Sequence, residues 1–308
     1  MSEENEADAS LSLCASCGLP ECDDIKLKKC TACKSVRYCG VECQKNHRPQ
    51  HKRACKKRAA ELRDELLFKQ PESTHLGDCP ICMIPLPLDP ENSAFLSCCG
   101  KVACNGCAHA NKIREMQAKS EEKCPFCRKP APTTEEEIEE NIMKRIEAND
   151  PLAMREQGSE CYNMEGDYGS AFEYYTKAAE LGDIEAHYQL SICYWLGHGI
   201  EKDEKKEVFH MEEAAIGGHP FARYNLGCHE GSNGVIERAI KHWIIAANLG
   251  DDGAIKELRR QYTQGTISKE NFAASLRAHQ AAVDATKSPQ REEAEKIIEL
   301  GDRTHGGD

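Results

Sequence analysis

Long apolar runs are missing from these 308 residues. None approaches the ~18 consecutive apolar residues that a membrane-spanning helix requires. The opening decapeptide, Met1 to Ser10, is acidic and polar and has neither the positive start nor the apolar stretch of a secretory signal. The expectation is an intracellular protein, cytoplasmic or nuclear or both, without a membrane partner. Aromatic residues are scarce at 6%, with only two tryptophans. No glycine-rich loop suggests a nucleotide or methyl-donor cofactor, and no residue stands out as a catalytic nucleophile. Positive charge is also short, with 40 Lys and Arg against 52 Asp and Glu for a net −12. Its excess is local: residues 14–70 carry +7, whereas 131–308 carry −15. Such a surface attracts nucleic acid poorly at long range, so nucleic acid is not an expected partner. The basic cluster Lys52, Arg53, Lys56, Lys57 and Arg58 reads as a solvated helix face. A hydrophobic content of 40% still permits a sizeable core and two or three domains.

Cysteine is what the chain has in excess. Of nineteen, sixteen precede residue 130, where CxxC pairs recur. In a chain without a secretory signal this usage points to metal thiolates in a reducing compartment. The first set reads Cys14-x2-Cys17, Cys30-x2-Cys33, Cys39-x3-Cys43 and His51-x3-Cys55. Zinc takes four soft or borderline ligands in a tetrahedron, and a CxxC turn offers two sulfurs from one tight loop, so eight ligands make two closed sites. About 40 residues bury too little apolar surface to fold unaided, and metal binding supplies on the order of 10 kcal/mol or more per site.

The stretch from Tyr38-Cys39 through Cys43-Gln44-Lys45 to His51-x3-Cys55 resembles the MYND zinc finger. That resemblance implies interleaved sites, with Cys14, Cys17, Cys39 and Cys43 on one ion and Cys30, Cys33, His51 and Cys55 on the other. It also implies docking of proline-containing peptides. Arg48 stands where the family carries a tryptophan, and Cys22 is an extra thiol. His47, four residues before His51, reads as a surface residue.

A second set follows a helical connector: Cys79-x2-Cys82, Cys98-Cys99, Cys104-x2-Cys107 and Cys124-x2-Cys127. Its order and spacing resemble an all-cysteine RING finger. The resemblance implies Cys79, Cys82, Cys104 and Cys107 on one zinc, and Cys98, Cys99, Cys124 and Cys127 on another. Cys98 and Cys99 are adjacent where the family leaves a gap, so Cys99 is the firmer ligand and Cys98 could be only a buried thiol. A RING works by orienting a ubiquitin-conjugating enzyme and its thioester. The matching contact positions here are Ile81, Pro125 and Arg128. The segment from Asn105 to Ser120 reads as the module's helix, with Ile113 and Met116 turned inward.

Past Thr134, whose spacing to Glu137 is a capping-box signal, the sequence repeats. Asp150-x2-Ala153, Asp183-x2-Ala186, His219-x2-Ala222 and Asp251-x2-Ala254 recur at intervals of 33, 36 and 32 residues. Such periods mean stacked helix pairs. The second helices end in Ala178-Ala179, Ala214-Ala215 and Ala246-Ala247, with Gly182, Gly217 and Gly250 as expected left-handed caps. Together with Gly197-His198-Gly199-Ile200 these features resemble Sel-one-like repeats, relatives of the tetratricopeptide repeat, which implies a protein-binding concave face. Tyr174, Tyr188, Trp195, Tyr224 and Trp243 read as packing residues, and Cys161, Cys193 and Cys228 as buried thiols.

The expected architecture is mostly α with small zinc-stabilised modules: two cross-brace zinc fingers followed by an α-solenoid of helix-turn-helix repeats. Its segments are a disordered acidic start (1–13), a MYND-type finger (14–55), a helical connector (56–76), a RING-type finger (77–130), a linker helix (131–149), repeats (150–285), and a C-terminal helix with a disordered tail (286–308). Four zinc ions and protein or peptide partners are expected. Two functions stay open, a RING-type ubiquitin ligase and a non-enzymatic zinc-dependent scaffold.

Overall fold

The computed structural model describes residues 13–305 and divides into two compact units, one ending at Lys69 and the other beginning at Gln70. Most of the expected acidic start and residues 306–308 lie outside the described residues. In the first unit, a two-residue hairpin of β1 (Lys28–Lys29) and β2 (Arg37–Tyr38) precedes α1 (Val41–Leu67). The helix is continuous through Pro49, so finger and connector share one element. Buried Leu27 and Tyr38 join the cysteines in a small core. The basic cluster faces solvent or pairs locally, as Arg58 does with Glu61 and Glu65.

The second unit begins with a cysteine-rich module. Antiparallel β3 (Ser93–Leu96) and β4 (Lys101–Cys104) pair Phe95 with Val102, and α2 (Asn105–Gln117) follows directly. Its core is Cys79, Leu86, Ala103, Cys104 and Cys107. Contrary to expectation, Ile113 and Met116 point outward, at 38% and 64% exposure. The buried α2 positions are Gly106 and Cys107 in the first turn, which leaves the far end of the helix free of the core.

The remainder is helical: α3 (Glu135–Glu147), α4 (Pro151–Glu160), α5 (Tyr168–Glu180), α6 (Ile184–Leu196), α7 (Glu204–Ile216), α8 (Pro220–Ser232), α9 (Ile236–Asn248), α10 (Asp252–Thr263), α11 (Lys269–Ala285) and α12 (Pro289–His305). The α3 start is capped as its sequence predicts, Glu137 N–H donating to Thr134 Oγ1 at 3.2 Å. A single π-helical turn, Cys161–Glu165, closes α4.

The repeated Asp-x2-Ala is a helix start with a contact surface built into it. Asp183 and Asp251 accept hydrogen bonds from Ala186 N–H and Ala254 N–H at 2.7 and 2.6 Å, and Asp150 caps Leu152 N–H at 3.0 Å. Each supplies one of the acceptors that a helix amino terminus lacks. Ala153, Ala186, Ala222 and Ala254 are all fully buried, because only a methyl fits where neighbouring helices cross. Leu190, Leu226 and Leu258 complete the core stripe one turn on. The pair α10–α11 repeats this pattern and extends the stack beyond the most regular units.

Gly182 and Gly250 take positive φ after their helices, 93° and 94°. In the middle unit the left-handed residue is Gly218 at 89°, not Gly217, which sits at φ −71° in the place that leucine holds in the other two. Among the aromatics, Trp243 is buried at 1% exposure but Trp195 stands 61% exposed, so Trp195 is a surface residue and not part of the core. Cys161 and Cys193 are buried and Cys228 is half-buried. Helix α12 continues to His305, so helical backbone occupies 301–305, where a disordered tail was expected.

Candidate metal centres

One local turn builds both cysteine-rich modules. At Cys14, Cys30, Cys79 and Cys124, the first cysteine of a CxxC pair accepts a backbone hydrogen bond at its carbonyl from the residue four positions later. Its own N–H reaches forward to Leu19, Val36, Ile84 or Lys129. The chain reverses through a left-handed residue just after the second cysteine: Gly18, Lys34, Met83 and Arg128, with φ of 75°, 53°, 55° and 60°. The turn holds two sulfurs on one side, and backbone N–H groups point at some of them, as Cys104 N–H does toward Cys79 Sγ at 3.4 Å.

The other ligand pairs come from helix starts, a helix face and a hairpin tip. Cys39 and Cys43 flank the start of α1, and His51 and Cys55 lie one turn apart on it. Cys104 and Cys107 hold the same place at the start of α2. Cys98 and Cys99 sit in the turn between β3 and β4, where Gly100 takes φ 64°.

The sixteen side chains gather into four groups: Cys14, Cys17, Cys39 and Cys43; Cys30, Cys33, His51 and Cys55; Cys79, Cys82, Cys104 and Cys107; and Cys98, Cys99, Cys124 and Cys127. Within each group every ligand atom lies within 4.8 Å of the others. Nearest sulfur pairs are 3.7 Å (Cys17–Cys39), 3.4 Å (Cys39–Cys43), 3.7 Å (Cys30–Cys55), 3.8 Å (Cys82–Cys104), 3.6 Å (Cys99–Cys124) and 3.5 Å (Cys98–Cys127). Two sulfurs each 2.3 Å from a shared tetrahedral ion are separated by about 3.8 Å, whereas a disulfide would bring them to about 2.05 Å. All the cysteines are free, and the donor set suits zinc.

Electrostatics makes the same demand. Burial works to raise the Cys14 thiol, but N–H groups of Cys17, Cys39 and Ser16 outweigh it and bring it down to about 6. Cys39, in the same group, is pushed up to about 12 by the Cys43, Cys17 and Cys14 thiols. Cys124 and Cys98 diverge in the same way, the first down to about 7, the second raised by burial and then by Cys124 and Cys127. Four crowded thiols cannot all ionise unless a cation sits among them.

The proposed contact residues stand on these turns. Ile81, inside the Cys79 turn, is 42% exposed, beside Met83 at 70%. Pro125 is half-buried in the Cys124 turn, and Arg128 is exposed as that turn's left-handed residue. His47, expected to be a plain surface residue, stacks on His51 at 5.5 Å and 10°, and its Nδ1 shares a 3.1 Å hydrogen bond with the Tyr38 hydroxyl. The contact fixes the His51 ring; the spacing of four between His47 and His51 on one helix is the signal that could have shown it.

A further cluster, His75, Glu185 and His219, meets the same distance criterion. Both Nε2 atoms approach one Glu185 carboxylate oxygen, at 3.0 and 2.9 Å. The rings stack at 4.2 Å and 13°, so their lone pairs run side by side instead of converging on an ion. His219 Nδ1 also accepts from Ala222 N–H, which assigns its proton to Nε2, where it donates to Glu185. Burial raises the Glu185 carboxyl, but hydrogen bonds from His219 and His75 reverse this and hold it well below the ordinary range. The cluster is a latch. With His75 N–H bonded to Gly218 O at 3.1 Å, it ties the segment leading into the second module onto α6 and α8.

Comparison with known families agrees with this layout. The MYND finger model matches residues 14–55, and the Sel1 repeat model matches 152–183, 184–219 and 220–251. The chain thus carries a MYND finger, which implies zinc, and a run of Sel1 repeats, both of them protein-interaction modules. Among solved structures it is similar to a Sel1 repeat protein from Oxalobacter formigenes, at 29% identity and TM-score 0.40 over 49% of this chain and 63% of that one. It is also similar to c5321, a protective antigen of uropathogenic Escherichia coli strains displaying an SLR fold (25% identity, TM-score 0.40, 48% of this chain and 33% of that one). A third is immunity protein Pa5087 from Pseudomonas aeruginosa (20% identity, TM-score 0.26, 44% and 66%). The chain spans less than two thirds of each of these proteins. Among the described residues, no helix is long and apolar enough to cross a membrane.

Proposed function

We propose that the chain is a four-zinc docking protein whose second module, residues 77–130, acts as a RING-type ubiquitin ligase, with the MYND finger and the repeats as substrate or partner docking surfaces. Each four-residue group would hold one ion. The observation that carries the ligase reading is the exposure of Ile81, reinforced by Met83. An exposed apolar residue on a turn that metal ligands would fix offers a preformed contact for a partner. Ile81, Pro125 and Arg128 would grip a ubiquitin-conjugating enzyme and fix its thioester in a reactive pose, so that catalysis is orientation and no residue of this chain becomes covalently modified. The repeats offer a groove of about 380 Å³ lined by Trp195, Ile192, Met211, Asn225 and Glu207, in which the exposed indole suits a peptide anchor.

Self-ubiquitination of the zinc-loaded chain with a panel of conjugating enzymes tests the proposal. Ubiquitin chains should form, and Ile81→Ala should remove at least about nine-tenths of them with zinc content unchanged, the effect of losing ~1.4 kcal/mol or more of enzyme binding. No product from fully loaded protein defeats the ligase reading.

One observation favours the second reading, a non-enzymatic scaffold. Arg128 occupies the same left-handed turn position as Gly18 and Lys34 in the MYND finger, so its backbone has a purely structural reason to be where it is. On that reading Arg128→Ala leaves partner capture unchanged.

A further inference from the structure

The geometry points to Arg291, on α12, as the charge partner of the metal group formed by Cys79, Cys82, Cys104 and Cys107, making the C-terminal helix a part of the second module that is held by its metal. This rests on the reading of that group as a zinc site. Arg291 is only 7% exposed. Its Nη1 donates to Pro85 O at 2.6 Å and to Thr286 O at 2.7 Å, and its Nη2 to Ile84 O at 3.1 Å and to Cys82 Sγ at 3.5 Å. No carboxylate pairs with it among the described residues, and its Nε has no partner.

A guanidinium keeps its proton in any protein environment, and a buried charge requires an opposite one. Three of the four acceptors are neutral carbonyls. The fourth belongs to the ligand set. Four thiolates around a divalent ion carry two net negative charges, the charge that would balance Arg291. The backbone contact agrees: a Cβ at Gly106 would stand 2.8 Å from Arg291 N and 2.9 Å from the Gln290 carbonyl carbon. The start of α12 therefore rests on the first turn of α2, between Cys104 and Cys107. Residues nearly 200 positions apart in sequence close over one cluster.

Coupling of this kind runs in both directions. Removing the ion from this group leaves Arg291 without a counter-charge and should release α12. Removing the Arg291 charge should loosen this ion and not the other three, by the roughly 10- to 100-fold that loss of an outer-shell partner commonly costs.

The test uses the full zinc-loaded chain, with zinc release to a chromogenic chelator followed in time. Arg291→Gln should release one of four equivalents about 10- to 100-fold faster than wild type, with the rest unchanged, and Arg291→Lys should fall between. Hydrogen exchange of 289–298 in wild type should rise when zinc is withdrawn completely. Gly106→Ala, which keeps the charge but wedges a methyl between α2 and α12, should produce the same fast phase. Unchanged release in Arg291→Gln, or protection of 289–298 that ignores metal removal, overturns the proposal and leaves the zinc reading intact. Wild-type protein holding only the two finger ions would instead overturn the zinc reading of this group.

Discussion

The cysteine-rich modules and the helical repeats solve one problem, burying enough to fold, with opposite materials. In the repeats the fully buried positions are alanine methyls and leucines, Ala186, Ala222, Ala254, Leu190, Leu226 and Leu258, with Trp243 filling the largest space. In the modules the buried positions are mainly sulfurs, Cys14, Cys30, Cys33, Cys79, Cys104 and Cys124. Apolar contacts act whatever the solution contains. Thiolates cohere only around a cation. The modules are therefore conditional on metal, and the stacked helices α4 to α10 are not.

Chelation should give the largest effect. With on the order of 10 kcal/mol or more of folding free energy per site at stake, withdrawing zinc should abolish amide protection across 14–55 and 79–127 and leave α5 to α10 protected, as read by hydrogen exchange. Protection of 14–55 that survives complete metal removal would break the comparison. The converse is Trp243→Ala. It should cost the repeats about 3–5 kcal/mol, seen as a lower midpoint of denaturant unfolding, while the finger's metal content stays at the wild-type value. Gly227 and Gly231 lie against that indole, so the cavity has rigid walls and little means to collapse.

The two halves also differ in how openly their sequences declare them. Ligand identity is written in residue type and spacing, because zinc geometry restricts how far apart cysteines can stand, and all sixteen candidates converge in four groups, the doubtful Cys98 among them. Asp-x2-Ala is equally plain, since a cap and a crossing alanine must keep a fixed offset. What stayed hidden depends on neighbours that no local pattern encodes. Trp195 has the same aromatic character as Trp243 but stands 61% exposed on α6, next to the buried Tyr194. Ile113 and Met116 have helical spacing, yet both lie on an exposed face of α2. The stacking of His47 on His51 was legible only as a spacing of four. The latch of His75 on Glu185 and His219 joins residues 110 and 34 positions apart, and was not legible at all.

Acid separates the halves by a different route. Burial lowers the pKa of His187, His219 and His242 in the repeats and takes His210 down to about 4. An unfolded chain binds protons at these sites below about pH 6.5, where the fold refuses them, so stability should fall as pH drops from 7 toward 5. Glu185, held low, adds its loss only below the ordinary carboxylate range. The Tm of the repeats should therefore decrease between pH 7 and 5, and less steeply in His210→Gln. In the modules protons compete with metal for the ligands, so added zinc should restore their folding at low pH without shifting the repeats' transition. A repeat transition that also moved with zinc would mean that the halves are not independent.

The smallest effect concerns the turn that both modules share. Lys34 and Met83 hold φ of 53° and 55°, a conformation that costs a side-chain-bearing residue roughly 1–2 kcal/mol relative to glycine, whereas Gly18 meets the same requirement without strain. Glycine also loses more entropy on ordering, which offsets part of the gain. Lys34→Gly should thus slow zinc release from the Cys30 group modestly, by a few-fold at most, and Gly18→Ala should speed release from the Cys14 group by a comparable factor. Among the described residues nothing lies within 4 Å of the position a Cβ would take at Gly18, so there the alanine meets backbone strain and no clash. If both substitutions left release unchanged, the left-handed residue would be incidental to the grip of the turn. If they moved it in opposite directions, the turn itself is what holds the sulfurs in place.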